Sequence, residues 1–188
     1  MSTGALITGE RIFLRHPRAR DRERFLERVD ASTKLHGQWA AYPPTDPEAF
    51  AGFLRRSRRA DVESLLVCRK DDDAIVGVFN ISQIVYGHLR SAYLGYYVFE
   101  PFAGQGYMHD GLQLVLRFAF GSLGLHRLEA NIQPENESSI ALVKGAGFRL
   151  EGYSPRYLKV AGRWRDHERW AILAEDRPRR AEGSGRTT

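Results

Sequence analysis

The chain has 188 residues, of which 43% are hydrophobic and 27% charged, enough for one domain with a sizeable core and without the roughly 20-residue apolar run that a membrane helix needs. Its one cysteine, Cys68, excludes an intramolecular disulfide framework and a multi-cysteine zinc site. The formal charge of +5 and pI near 9.5 would suit a polyanion, but the basic residues are dispersed. Their one dense block, Arg55, Arg56, Arg58 and Arg59, falls at the end of an expected helix, where cations suit the negative pole of the dipole. No direct nucleic-acid role is therefore expected. Residues 1–5 lack the charged and apolar regions of a secretory signal, which points to the cytoplasm.

In chain order, residues 11–15 read as a first strand, and residues 21–29 as a helix with Phe25, Leu26 and Val29 on one face. Residues 34–44, carrying His36, Trp39 and Tyr42, are expected to form a loop. Thr45, Asp46, Pro47 and Glu48 then offer a Thr-x-x-Glu capping box with proline in the opening turn, ahead of Phe50, Phe53 and Leu54. Residues 63–69 and 74–85 form two strands around Asp71, Asp72 and Asp73. Three consecutive aspartates suit a solvated turn and lack the alternating ligands and glycine of a calcium loop, so no metal site is expected.

The next strand covers residues 92–99, rich in aromatic and β-branched side chains but interrupted by Gly95, which marks a bulge or a close approach by another group. Gly104 and Gly106 follow, directly before a helix that starts near Tyr107 and repeats apolar residues at Met108, Leu112, Val115, Leu116 and Ala119. A helix start leaves its first N–H groups unpaired and carries the positive end of the dipole, and glycines give a phosphate open access to those donors. Taken alone, the pattern is also that of an ordinary strand-to-helix turn. It lacks the third glycine of a dinucleotide fold and the Lys-Ser/Thr pair of a P-loop. Residues 128–132 read as a strand, and Asn136 caps a helix from Glu137 that runs through Ser139, Ile140, Ala141, Leu142 and Val143. After Gly147 and Phe148, residues 148–160 and 162–173 form a closing pair of strands turning near Ala161 and Gly162. Residues 7–174 are expected to be a single domain, and residues 175–188 a disordered tail.

The order strand, G-x-G loop, helix, strand, Asn-x-x-Ser-Ile-Ala-Leu helix and Gly-Phe resembles the GNAT superfamily of acetyl-CoA-dependent N-acetyltransferases. The stretch from Leu150, Glu151, Gly152 and Tyr153 through Arg163, Trp164, Arg165, Asp166 and His167 resembles the Rim-type ribosomal-protein alanine N-acetyltransferases in particular. The resemblance covers residues 7–173. It implies an α+β fold with a mixed, mostly antiparallel sheet flanked by helices, in which two parallel strands splay apart and hold the cofactor.

The resemblance also implies a site for acetyl-CoA as co-substrate. Backbone N–H groups of the loop Gly104, Gln105, Gly106, Tyr107 and Met108 should hold the pyrophosphate, and those near Tyr97 and Val98 should meet the pantetheine arm and the thioester oxygen. Asn136, sufficient as a helix cap, lies beside the pantetheine in the family. Ser139 aligns with a hydroxyl that protonates the departing thiolate, or is simply a helix-start residue. Two departures stand out: Ala103 replaces the usual Gln or Arg of the loop, and Val143 replaces a tyrosine that many relatives use as general acid. Glu129 is the first candidate for the base because some relatives carry a glutamate in this strand; a solvent-facing or arginine-paired carboxylate is the alternative. Glu100, His126 and Asp166 are further candidates.

The expected reaction is acetyl transfer to an amine, first of all the α-amino group of a protein N-terminus, by a monomer or homodimer. A small amine such as a polyamine or an aminoglycoside, or a non-catalytic acyl-CoA-binding module, are the alternatives.

Overall fold

The structure, a computed structural model, describes residues 4–37, 39 and 43–176. Tyr42 and the expected tail from residue 177 lie outside the described residues. Among the described residues eight strands form one sheet: β1 (Ile7–Thr8), β2 (Ile12–Arg15), β3 (Val62–Arg69), β4 (Ile75–Val85), β5 (Ser91–Val98), β6 (Arg127–Ile132), β7 (Arg149–Val160) and β8 (Arg163–Leu173). The sheet order is β1-β2-β3-β4-β5-β6-β8-β7. Every neighbouring pair is antiparallel except β5 with β6.

The α-helices of the described residues flank the sheet: α1 (Arg22–Ala31), α2 (Thr33–His36), α3 (Pro47–Arg56), α4 (Tyr107–Arg117) and α5 (Glu137–Gly145). The central strand β3 is fully buried from Leu65 to Cys68, as expected of a strand covered on both faces, where apolar residues run on instead of alternating. Helix α4 comes down onto it closely: a Cβ at Gly111 would stand 2.9 Å from the Phe79 ring and 3.3 Å from Val67. Helices α1 and α3 bring Phe25, Phe50 and Phe53 together, with Phe99 edge-on to Phe25 at 5.4 Å. A buried ion pair, Arg15 to Asp21 through two bonds of 2.7 and 2.8 Å, ties β2 to the turn before α1.

Two local expectations shift. The cap of α3 is Asp46, whose carboxylate accepts from Ala49 N–H at 2.8 Å, instead of Thr45. Pro47 occupies the first helical position and forces its predecessor into extended backbone, which makes Asp46 the half-in residue. The expected loop from residue 34 begins as the helical turn α2. The Asp71 to Asp73 turn is held locally, with Asp72 accepting from Ala74 N–H at 3.1 Å and from Arg69 at 2.6 Å.

The feature that positions a site is the one parallel pair. Strands β5 and β6 are in register at Ser91 with Arg127, Ala92 with Leu128 and Tyr93 with Glu129, and there their pairing stops. Beyond that point β5 stays paired with β4 as far as Val98, and β6 stays paired with β8 as far as Ile132. Each strand follows its own half of the twisted sheet, so a wedge opens between them.

Candidate functional site

At the head of the wedge the chain leaves β5 through a short 3-10 turn, Glu100–Phe102, and enters α4 across the two glycines. Gly104 and Gly106 have φ of +72° and +79°, the left-handed region that a residue with Cβ adopts only under strain. Gly106 is the N-cap of α4 and carries no side-chain cap, so the first-turn N–H groups of the helix point outward without a partner from the helix itself. A Cβ at Gly104 would meet nothing within 4 Å, which leaves the approach open. Such an open, uncapped helix start leaves backbone donors that an anion could approach.

Its support comes from a residue that sequence reasoning missed. Arg11, beside the start of β2, donates to the Gln105 carbonyl at 3.3 Å and to Asp110 at 2.9 and 2.6 Å, and its guanidinium lies 4.9 Å from the centre of the Tyr107 ring. It stands close enough to Gly106 that a Cβ there would be 3.2 Å from Nη2. Arg28 and Arg69 each place a guanidinium 5.2 Å from the Phe102 ring just ahead of the loop. A basic surround therefore exists even though Ala103 supplies no charged side chain.

Below the loop lies a cavity of about 430 Å³. Of the residues expected to hold the cofactor, Tyr97, Val98, Gly104, Gly106, Met108 and Asn136 line it. Gln105 and Tyr107 do not: the Gln105 amide turns back to the Pro101 carbonyl at 2.7 Å, and Tyr107 packs edge-on to Phe102. His36, from α2, reaches across to this wall, with Nε2 2.7 Å from the Val98 carbonyl. That carbonyl only accepts, so Nε2 carries a proton; Nδ1 is buried without a partner. The edge of β5 over residues 94–98 has no strand partner on the β6 side, and of its outward backbone groups the Val98 carbonyl is the one that His36 takes.

Helix α5 closes the wedge from the far side. Asn136 caps it, its Oδ1 accepting from Ser139 N–H and from Ser138 Oγ, each at 3.1 Å. The Ser139 carbonyl in turn accepts from the Tyr96 hydroxyl at 3.2 Å. Burial pushes that phenol up to about 12, so it stays a donor at any ordinary pH. Val143, where many relatives have tyrosine, is fully buried in the core.

A second cavity, of about 340 Å³, lies on the other side of this junction. Trp39, Tyr96, Asn136 and Ser139 line both. Its remaining walls include Gly95 and Tyr93 of β5, Asn131 of β6, Tyr157 and Leu158 of β7, and His167 of β8. Gly95 forms no bulge, its register opposite Asn80 being regular; a Cβ there would meet nothing, and its absence leaves cavity space. One of the sheet's register shifts falls in the closing hairpin, between Ser154 and Leu158 of β7. Asp166 fixes it, accepting from the Tyr153 hydroxyl and from Arg156 N–H at 2.6 Å.

Glu129 is not among the residues that line either cavity. It sits at the last paired position of the wedge, where its carboxylate accepts from Arg127 Nε at 2.8 Å, while the same arginine grips Glu151. Glu100 starts the 3-10 turn before the loop, and His126 pairs with Glu175 at 3.1 Å.

The sequence matches the acetyltransferase (GNAT) domain family over residues 11–149. The chain belongs to the GNAT family. The GNAT fold extends to a solved structure of Mycobacterium smegmatis RimJ in complex with CoA-disulfide, which superposes with a TM-score of 0.82 at 31% identity over 89% of this chain and 84% of that one. Among curated GNAT relatives, the [ribosomal protein uS5]-alanine N-acetyltransferase of Escherichia coli is 37% identical over 56% of this chain; the chain spans 55% of that relative's length. The spermidine N(1)-acetyltransferase of Vibrio cholerae is 22% identical over 85% of this chain and 91% of its own.

Proposed function

We propose that the chain transfers the acetyl group of acetyl-CoA to the α-amino group of a protein N-terminus. The observation that carries the acceptor is the chemistry of the second cavity: among its described lining residues there is no carboxylate. A polyamine or an aminoglycoside brings several positive charges, and a site built for one needs acidic groups to replace their hydration. A peptide end brings a single ammonium, and its unperturbed pKa of about 7.7–8.0 leaves a useful neutral fraction at physiological pH. Walls contributed by the β7–β8 hairpin and by Trp39 suit the first residues of an extended chain, and the likeness to ribosomal-protein N-acetyltransferases supports the same reading.

The residues of the first cavity fit acetyl-CoA. The uncapped start of α4 with Gly104, Gly106 and Met108 would take the pyrophosphate, and the free edge of β5 at Tyr97 and Val98 the pantetheine. Ser139, at the junction of the two cavities, would meet the sulfur. When bound, acetyl-CoA supplies an activated acyl carbon; the chain aligns the amine with it, excludes water and gives the thiolate a donor.

The test is acetyl-CoA turnover against peptides with free N-terminal alanine or serine, the same peptides blocked at the N-terminus but carrying lysine, spermidine and an aminoglycoside. Acetylation located by mass spectrometry on the α-nitrogen is the expected result. Acetyl found only on lysine side chains, or activity only with polyamines or aminoglycosides, overturns the acceptor. CoA binding with no turnover on any acceptor returns the reading to an acyl-CoA-binding module.

A further inference from the structure

An arriving α-ammonium must lose a proton before its nitrogen can attack, and the wall of the acceptor cavity offers few places for that proton. No described carboxylate lines it. The phenols of Tyr93 and Tyr96 are both raised by burial, which makes them poor bases at neutral pH. His167 is the remaining titratable group of the ordinary neutral range on this wall.

The tautomer of His167 is set by its neighbour. Nδ1 lies 3.1 Å from the Arg165 carbonyl, an atom that only accepts, so Nδ1 carries the hydrogen and Nε2 presents its lone pair. The ring is 1% exposed and stands 5.9 Å from the Tyr157 ring, which also lines the cavity. Desolvation holds its pKa below the ordinary histidine value, against the charges of Asp166 and Glu135, which favour the imidazolium. A neutral imidazole is therefore the resting form at physiological pH.

Asn131 brings a second unpartnered lone pair to the same wall. The Oδ1 of Asn131 is buried and has no partner, and Asn131 lines the cavity with His167. The two belong together by register: Asn131 is opposite Arg169, and His167 lies two residues along β8, so both side chains stand on one face of the sheet. Glu129, two residues back along β6, shares that face but sits where β5 and β6 are still paired, with its carboxylate occupied by Arg127. A buried acceptor left without a hydrogen is expensive unless a ligand supplies one.

We propose that His167, through Nε2, is the base that takes the proton of the acceptor ammonium, while Asn131 Oδ1 accepts a second N–H of the same nitrogen and aims it at the thioester. The inference rests on the acetyl-transfer reading above. In the step, the ammonium gives one proton to Nε2; the freed lone pair forms the C–N bond as the C–S bond breaks. The amide nitrogen loses its second proton, the thiolate takes up one to leave as CoA thiol, and the imidazolium returns its own to solvent. One proton is released overall.

The test compares wild type, His167→Gln and Glu129→Gln with acetyl-CoA and an N-terminal alanine peptide, measuring kcat and KM from pH 5 to 9. Wild type should show an acidic limb in kcat. His167→Gln should lose that limb and about 100-fold in kcat near pH 7, with the KM for acetyl-CoA unchanged, and should recover as the pH passes the amine's own pKa. Glu129→Gln should keep the limb. A limb that survives in His167→Gln and vanishes in Glu129→Gln, or a loss in His167→Gln that is equal at every pH, overturns the assignment. Wild type that turns over none of the α-amine peptides overturns the acceptor reading instead, a different result. Should His167→Gln fail to fold, ¹⁵N NMR of wild-type imidazoles decides: a neutral His167 with hydrogen on Nδ1 at pH 7 supports the proposal, and an imidazolium or the opposite tautomer there ends it.

Discussion

The Tyr96 hydroxyl donates to the Ser139 carbonyl at 3.2 Å, joining the free edge of β5 to the first turn of α5 across the mouth of the wedge. Both residues line both cavities. The bond therefore sets the width of the passage through which an acyl group and an amine would meet.

Removing that bond should loosen the passage. Tyr96→Phe leaves the Ser139 carbonyl without its partner and is expected to cost about 1 kcal/mol of stability in denaturant unfolding. Because burial holds the phenol near 12, it is a donor throughout the working range, and the loss in turnover should be the same at pH 6 and pH 9. A wild-type profile that falls with a pKa near 9 or 10, and ceases to do so in Tyr96→Phe, would contradict this role.

Ser139 lines both cavities, and in the proposed reaction its hydroxyl would serve the charge that develops on sulfur. Ser139→Ala should lower kcat by about 100-fold while leaving the dissociation constant for CoA unchanged, since a donor to the thiolate matters only as the C–S bond breaks. Isothermal titration with CoA alongside steady-state kinetics separates this from a structural role, which would weaken both.

Gly106 carries both a left-handed φ of +79° and the cap position of α4. Gly106→Val introduces backbone strain and a branched Cβ against Arg11 and the phosphate, and should weaken CoA binding by tenfold or more, roughly. Arg11→Ala removes the clamp on Gln105 and Asp110 without straining the loop and should weaken CoA less. Calorimetric titration of both variants gives the order; equal, undiminished affinities would move the phosphate site elsewhere.

Cys68 is buried near the end of β3, and burial pushes its thiol up to about 11 from 9.0. A thiol that stays neutral should not react with a thiol reagent in the native state at pH 8, and should react once the protein is unfolded. The folded pKa is raised, so the associated stability is complete below about pH 9, where the unfolded thiol begins to ionise, and is lost on the way to pH 11. The loss is on the order of 2 kcal/mol. Urea unfolding of wild type and Cys68→Ala at pH 8 and pH 10.5 should show the extra pH dependence in wild type alone.

What the sequence by itself determined is local. Two glycines before a helical repeat require a backbone that residues with Cβ resist, and Gly104 and Gly106 adopt it. Asn136, four positions ahead of the apolar run that starts at Ile140, caps its helix through the i to i+3 reach of a short side chain, which also puts Ser139 in the first turn. Such features depend on neighbours a few residues away. The cap of α3 shows the limit even here, because Pro47 moved it by one residue.

Tertiary structure decided whatever depends on which strands adjoin. Arg11 meets Asp110 across 99 positions and supports the loop that Ala103 does not. Arg127, which holds Glu129 within β6, also grips Glu151 because β7 and β8 fold back beside β6. His167 and Asn131 come to one cavity because of a register between strands far apart in the chain and a wedge that opens where two strands part. Hydrophobic spacing records which face of a strand is buried, but it carries no record of the partner strand or of the residue that stands opposite.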